Sequence, residues 1–121
     1  MKVAISVMSS DTDAPVDLRF GRARFFRIVD TETGDQTVRD NADGMNASQG
    51  AGTQAAQMLA SEGVVSVLTG HVGPKAWDAL QAARIAVYSL EGGTAGQAID
   101  ACLDGKLHSM SPGKSGNRDS R

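Results

Sequence analysis

Four basic side chains, Arg19, Arg22, His71 and Lys75, stand beside or near glycine-rich turns in this sequence, and that pairing is chemistry for an anion. Two of the turns, Gly70-His71-Val72-Gly73-Pro74 and Glu91-Gly92-Gly93-Thr94, follow apolar runs and precede helical patterns; a third, Gly50-Ala51-Gly52, opens another helix. Glycine lets a backbone come close to a ligand. The first turn of a helix offers unpaired N–H groups and a partial positive charge, so helix starts gathered at one place favour a negatively charged guest. The candidate binding set is therefore Arg19, Arg22, Gly70, His71, Gly73, Lys75, Gly92, Gly93 and Thr94. His71 is also the best single candidate for a metal ligand, because an imidazole nitrogen can coordinate or donate. Each has an ordinary reading as well: the arginines as solvated surface charges, the glycines as turn formers, His71 as a packed loop residue.

The guest is not read as a nucleotide, since neither GxxxxGK[ST] nor GxGxxG occurs. Nor can it be a cluster held by thiolates. Cys102 is the only cysteine, whereas iron–sulfur clusters are held by several; Cys102 itself reads as a core residue on a helix. A cluster here would have to bring its own sulfide ligands. Met8 and Met45 offer soft thioethers in expected loops. Asp11, Asp13 and Asp17 are read as a solvated loop rather than a nuclease metal site, which needs carboxylates converging from several strand ends.

The elements that must position these residues are legible from periodicity and punctuation. Lys2–Met8, Arg24–Asp30 and Gln36–Asn41 read as strands, the last two joined by a turn at Gly34 as an antiparallel, polar edge hairpin. Ala42–Gly50 reads as a polar loop. Ala51, Ala55, Met58 and Leu59 follow helical spacing up to Gly63. Val64–Thr69 is a dense apolar run suited to a doubly buried strand. Pro74 suits the first position of a second helix, Ile85–Ser89 reads as the last strand, and Thr94 with Gln97 has the spacing of a capping box. Two right-handed βαβ units then predict a mixed five-stranded sheet with helices on both faces. The carboxyl ends of strands one, four and five share one edge, where open α/β sheets bind ligands.

At 121 residues, 40% of them hydrophobic, the chain has enough material for one domain with its own core. The domain is placed at residues 1–107, with 108–121 as a disordered polar tail. A net charge of −2 argues against a general nucleic-acid binder. No apolar run approaches membrane-spanning length, and no signal peptide is read at the start. A reducing cytoplasm is the expected compartment.

Five segments together resemble one known family: the MKVAIS start; Phe20-Gly21-Arg22-Ala23 before a strand ending Ile28-Val29-Asp30; Gly50-Ala51-Gly52; Thr69-Gly70-His71-Val72-Gly73-Pro74-Lys75-Ala76; and Glu91-Gly92-Gly93-Thr94. This looks like the dinitrogenase iron–molybdenum cofactor biosynthesis family, over roughly residues 1 to 107. The resemblance implies a ribonuclease-H-like three-layer α/β/α domain. It implies a non-enzymatic protein that binds, stores or carries an anionic metal–sulfur cluster. Members include carriers of nitrogenase cofactor precursors and small stand-alone proteins holding a molybdenum–copper sulfide cluster without covalent attachment; the short chain resembles the latter most. ATPases or other proteins of the same family are the implied partners, with no nucleic acid and no membrane. A regulatory or interaction module binding a protein partner or an anionic metabolite stays open as an alternative, and a hydrolase lacks an evident nucleophile–base pair.

Overall fold

The computed structural model describes residues 1–45 and 50–110, without the side chains of Asp43 and Met45. Alternation along β1 (Lys2–Val7) decides the layering. Val3, Ile5 and Val7 point to one face of the sheet and Ala4 to the other, as the period of two in a strand requires. Ala4 packs with Phe26, Ile28 and Val67 beneath α2 (Ala51–Ser61) and α3 (Pro74–Ala82). Val3, Ile5 and Val7 pack with Leu68 and Leu90 against Ala95 and Ala98 of α4 (Ala95–Leu103). Three layers result. Burying side chains such as Phe26, Leu59 and Leu80, all at 1% exposure or less, contributes about 1.5–3 kcal/mol each. Phe20 and Phe26 meet in a tilted pair with ring centroids 5.4 Å apart.

The central strands are parallel, as expected. β1 pairs with β4 (Val64–Thr69), and β4 with β5 (Ala86–Ser89). β2 (Phe25–Asp30) and β3 (Gln36–Asp40) form the antiparallel hairpin, with β3 at the edge and largely exposed. The polar character of β3 suits an edge that must not recruit another strand.

Three expectations need correction. The sheet has six strands, not five, in the order β3-β2-β1-β4-β5-β6. The added strand β6 (His108–Ser109) begins where the polar tail was expected, and it runs antiparallel to β5. Its cause lies at Gly105, whose φ of 71° turns the chain after α4 and returns it along the open outer edge of β5. The Met110 N–H then donates to the Val87 carbonyl (2.7 Å). The rest of the expected tail, 111–121, lies outside the described residues. Secondly, the polar loop after β3 begins with a four-residue helix, α1 (Ala42–Met45), started by the Asp40 carboxylate accepting from the Ala42 N–H (2.7 Å). The third correction, the burial of Asp17, belongs to the site.

The long loop after β1 is a fixed rail laid across the carboxyl ends of the strands. On one side the Ala95 N–H donates to the Ala14 carbonyl and the Val16 N–H to the Gly93 carbonyl (2.8 and 3.0 Å). On the other, the His71 N–H donates to the Leu18 carbonyl and the Phe20 N–H to the His71 carbonyl (2.6 and 3.0 Å). Beneath it the Asp17 N–H donates to the Ser6 carbonyl (2.8 Å). Ser6 Oγ donates to the Asp17 carbonyl (2.6 Å) and shares a hydrogen bond with Thr69 Oγ1 (2.8 Å). Both hydroxyls are fully buried, and each has its partner, so their burial carries no desolvation penalty left unmet. Among the described residues no helix is long and apolar enough to cross a membrane.

Candidate functional site

The expected turns do share the carboxyl edge of the parallel strands, but the rail divides them between two pockets. One pocket, about 610 Å³, is lined by Arg19, Arg22, His71 and Lys75, by Phe20 and Gly21, and by the first turns of α2 and α3. No acid lines it. The other, about 630 Å³, is lined by Glu91, Gly92, Gly93 and Gln97 with Lys106 and His108. It is as large, yet its charges are mixed. Gly70 and Thr94 line neither.

Among the described residues, the two helix starts in the first pocket have no side-chain cap. Gly50 stands at the N-cap of α2 and Gly73 at that of α3; neither helix has a side-chain cap or an acid in its first turn. Pro74 follows Gly73 at the first position of α3, where its missing N–H costs nothing. The remaining first-turn N–H groups have no acceptor within their own helices, and both starts line the same pocket. That places two partial positive charges beside four basic side chains.

Three glycines in this region have different reasons for being glycine. A Cβ on Gly21 would lie 2.6 Å from the Gly52 backbone nitrogen, so the rail and α2 meet backbone to backbone. A Cβ on Gly70 would strike Leu18 Cβ at 2.7 Å, which gives that turn a packing role. Gly73 has neither reason. Its φ of −68° suits any residue, and no atom of the described residues lies within 4 Å of where its Cβ would be. The space a side chain would fill there belongs to the pocket.

Of the basic residues, His71 is held by its backbone against the rail and is itself exposed. Lys75 is exposed and Arg22 half-buried. Arg19 is held. Asp17 Oδ1 accepts from the Arg19 backbone N–H (3.0 Å) and from Nε (3.1 Å), and Oδ2 accepts from Nη2 (3.1 Å). The hydrogen bond and the charge of Asp17 raise the Arg19 pKa above its ordinary value, against a small opposing effect of desolvation. Here the expectation of a solvated acidic loop fails for Asp17, though Asp11 and Asp13 are exposed as expected. The Asp17 side chain is only 4% exposed, because the rail seats residue 17 over Ser6 with its carboxylate turned under Arg19. The spacing Asp-x-Arg, suited to a carboxylate that accepts from the backbone two residues on, is the signal that could have found the pair. Asp13 is not idle either: its Oδ1 accepts from the Gly96 N–H at the start of α4 (2.9 Å).

Thr94 is occupied by the fold. Its Oγ1 accepts from the Gln97 N–H (3.3 Å) while Gln97 Oε1 accepts from the Thr94 N–H (3.0 Å), which completes the expected capping box. Gly92 and Gly93 have φ of 143° and 93°, conformations that explain glycine without a ligand. Met8 is exposed and lines neither pocket; the Met45 side chain lies outside the described residues. Cys102 is half-buried against the α4 core, where burial pushes its thiol pKa up. Among the described residues, no group of three or more His, Cys, Asp or Glu is placed to hold a metal ion. His71 is thus not part of such a group among the described residues.

A family model described as dinitrogenase iron-molybdenum cofactor matches residues 1–105. The chain belongs to this family. Among solved structures, the apo form of the orange protein from Desulfovibrio gigas is 44% identical, with a TM-score of 0.88, over 91% of this chain and 92% of that one. A Thermotoga protein of the DUF35 family, solved by NMR, is 39% identical with a TM-score of 0.80, over 89% and 91% of the two chains. An uncharacterized protein of Methanocaldococcus jannaschii is 29% identical over 111 residues, 88% of this chain and 89% of that protein. The family match and the likeness to the orange protein agree with the resemblance of the five sequence segments.

Proposed function

We propose that this chain is a non-enzymatic carrier or store of an anionic metal–sulfur cluster, held on a ribonuclease-H-like sheet in the pocket between the starts of α2 and α3. The observation that carries the reading is the convergence of two helix starts with glycine at the N-cap on a pocket ringed by Arg19, Arg22, His71 and Lys75, with no acid among its described lining residues. The donor set fits cargo that is already complete in ligands. N–H groups and cations can grip sulfide from outside, whereas a bare cation would find no carboxylate or thiolate among the described lining residues.

The size and chemistry of the pocket favour a molybdenum–copper sulfide unit or a related nitrogenase-type precursor. Sulfide is large, soft and weakly hydrated compared with an oxyanion, and buried Phe20 and Ala76 give it apolar contact beside the charges. The open space at Gly73 admits the guest, and Gly70 holds the turn that carries His71. His71 either donates to a sulfide or supplies a single nitrogen ligand. Gly92, Gly93 and Thr94 then act at one remove, by fixing the rail through Val16 and Ala95. The cargo would be exchanged in the cytoplasm with ATPases or other members of the family.

Anaerobic reconstitution with tetrathiomolybdate and copper tests the reading. The expected product is coloured by visible charge transfer and retains molybdenum through gel filtration. His71→Ala and Arg22→Ala should each retain several-fold less. A colourless protein free of molybdenum overturns the function; full retention in both variants moves the site elsewhere.

A further inference from the structure

A pocket rich in positive charge faces a problem of selection, because inorganic phosphate and sulfate are also anions and are abundant. The strongest oxyanion clasp a protein side chain offers is the fork of an arginine, with two parallel N–H groups spaced to meet two oxygens. Arg19 lines the pocket, and its side chain is 65% exposed. Yet its Nε–Nη2 fork is already filled, by Asp17 Oδ1 and Oδ2 at 3.1 Å each. Asp17 is 4% exposed, lines no part of the pocket, and gives every hydrogen bond its carboxylate accepts to residue 19.

We propose that Asp17 is a specificity-determining residue: it occupies the side-on Nε–Nη2 face of Arg19, leaving only the end-on Nη1–Nη2 pair, and so weakens the pocket's hold on phosphate and sulfate relative to softer anions. The inference rests on the cluster-binding reading above. Its physical basis is a difference between acceptors. An oxyanion gains most of its affinity from directional, charge-assisted hydrogen bonds, and Arg19 offers its best pair to Asp17 instead. A sulfide-rich anion depends less on that pair, because sulfur is a weaker acceptor and gains more from polarisable contact with the apolar wall. The Arg19 charge still contributes at longer range, screened by its partner.

Asp17→Asn tests this without emptying the site. An amide keeps the volume and one oxygen for the Arg19 backbone N–H, but it releases the fork. Titration with inorganic phosphate, followed by calorimetry and by amide shifts of Gly52 and Lys75, should show binding tightened about tenfold over the wild type. Tetrathiomolybdate binding should change by less than about threefold. Asp17→Asn with Arg19→Lys restores a single point charge without a fork, and it should return phosphate affinity to the wild-type level. Thermal melting confirms that each variant is folded. Phosphate affinity that stays level or falls in folded Asp17→Asn overturns the inference, as does a double variant that keeps the gain. If tetrathiomolybdate binds neither protein while phosphate still tightens, the cluster reading fails and the fork assignment stands.

Discussion

The start of α4 and the starts of α2 and α3 lie along one edge of the sheet and use the same electrostatics to opposite ends. At α4 the protein satisfies its own N–H groups: Thr94 and Gln97 exchange hydrogen bonds, and Asp13 supplies a carboxylate to Gly96. At α2 and α3 glycine stands where a capping side chain would, and cations take the place of acids. A fold that needed only stability would cap all three. The contrast separates the glycine turns into those that build the domain and those that leave room for a guest, although in sequence they look alike.

The comparison breaks most sharply at Gly73. Gly73→Asp would give α3 the acid that α4 already has, in a backbone conformation that aspartate accepts. Stability should stay level or rise by a few tenths of a kcal/mol. Cluster retention should fall by about tenfold or more, because a carboxylate then occupies the positive pocket. Denaturant melts and molybdenum analysis on the same preparation read both effects; a variant that retains the cluster removes the bare helix start from the site.

The converse change should be milder. Asp13→Ala uncovers one N–H at α4 and should cost about 1 kcal/mol of stability, read from the shift in urea midpoint. Retention should stay within about twofold of the wild type, since the other end of the rail is untouched. A large loss of cluster would instead join the two pockets into one functional unit.

The smallest effect belongs to a carboxylate that serves neither. The Ala42 N–H, and then Arg24, hold the Asp40 carboxyl below its ordinary value of 3.8. A lowered folded value means stability that is present above the ordinary carboxylate range and lost as pH falls through the folded one. Asp40→Asn should therefore flatten the acid limb of a melting profile below about pH 4 and leave cluster retention at neutral pH unchanged. An unaltered acid limb would mean that Asp40 titrates alike in the folded and unfolded chain.

Much of this architecture was legible because local chemistry and global position agree. Val64–Thr69 is both apolar and β-branched, and it lies in the centre of the sheet with parallel neighbours on both sides. Pro74 and the Thr94–Gln97 pair begin helices where their chemistry says they should. Illegible features depended on chain geometry with no periodicity behind it. β6 is two residues long and exists because Gly105 turns the chain back along an open edge. Asp17 is buried only because the rail crosses Ser6 and Thr69, a contact between segments more than ten and sixty residues apart. The candidate site followed the same division. Arg19, Arg22, His71, Gly73 and Lys75 come together, whereas Gly92, Gly93 and Thr94 sit across the rail. Sequence can mark a helix start, but whether its amides remain vacant depends on what distant segments bring to them.

The backbone contact between Gly21 and Gly52 has a mechanical corollary. With no side chain between them, the two segments act as the closed jaws of a calliper, and the gap they enclose is calibrated by atomic radii alone. A lone methyl at residue 21 would work as a shim, prying the first turn of α2 outward and resizing the receptacle without altering one charge.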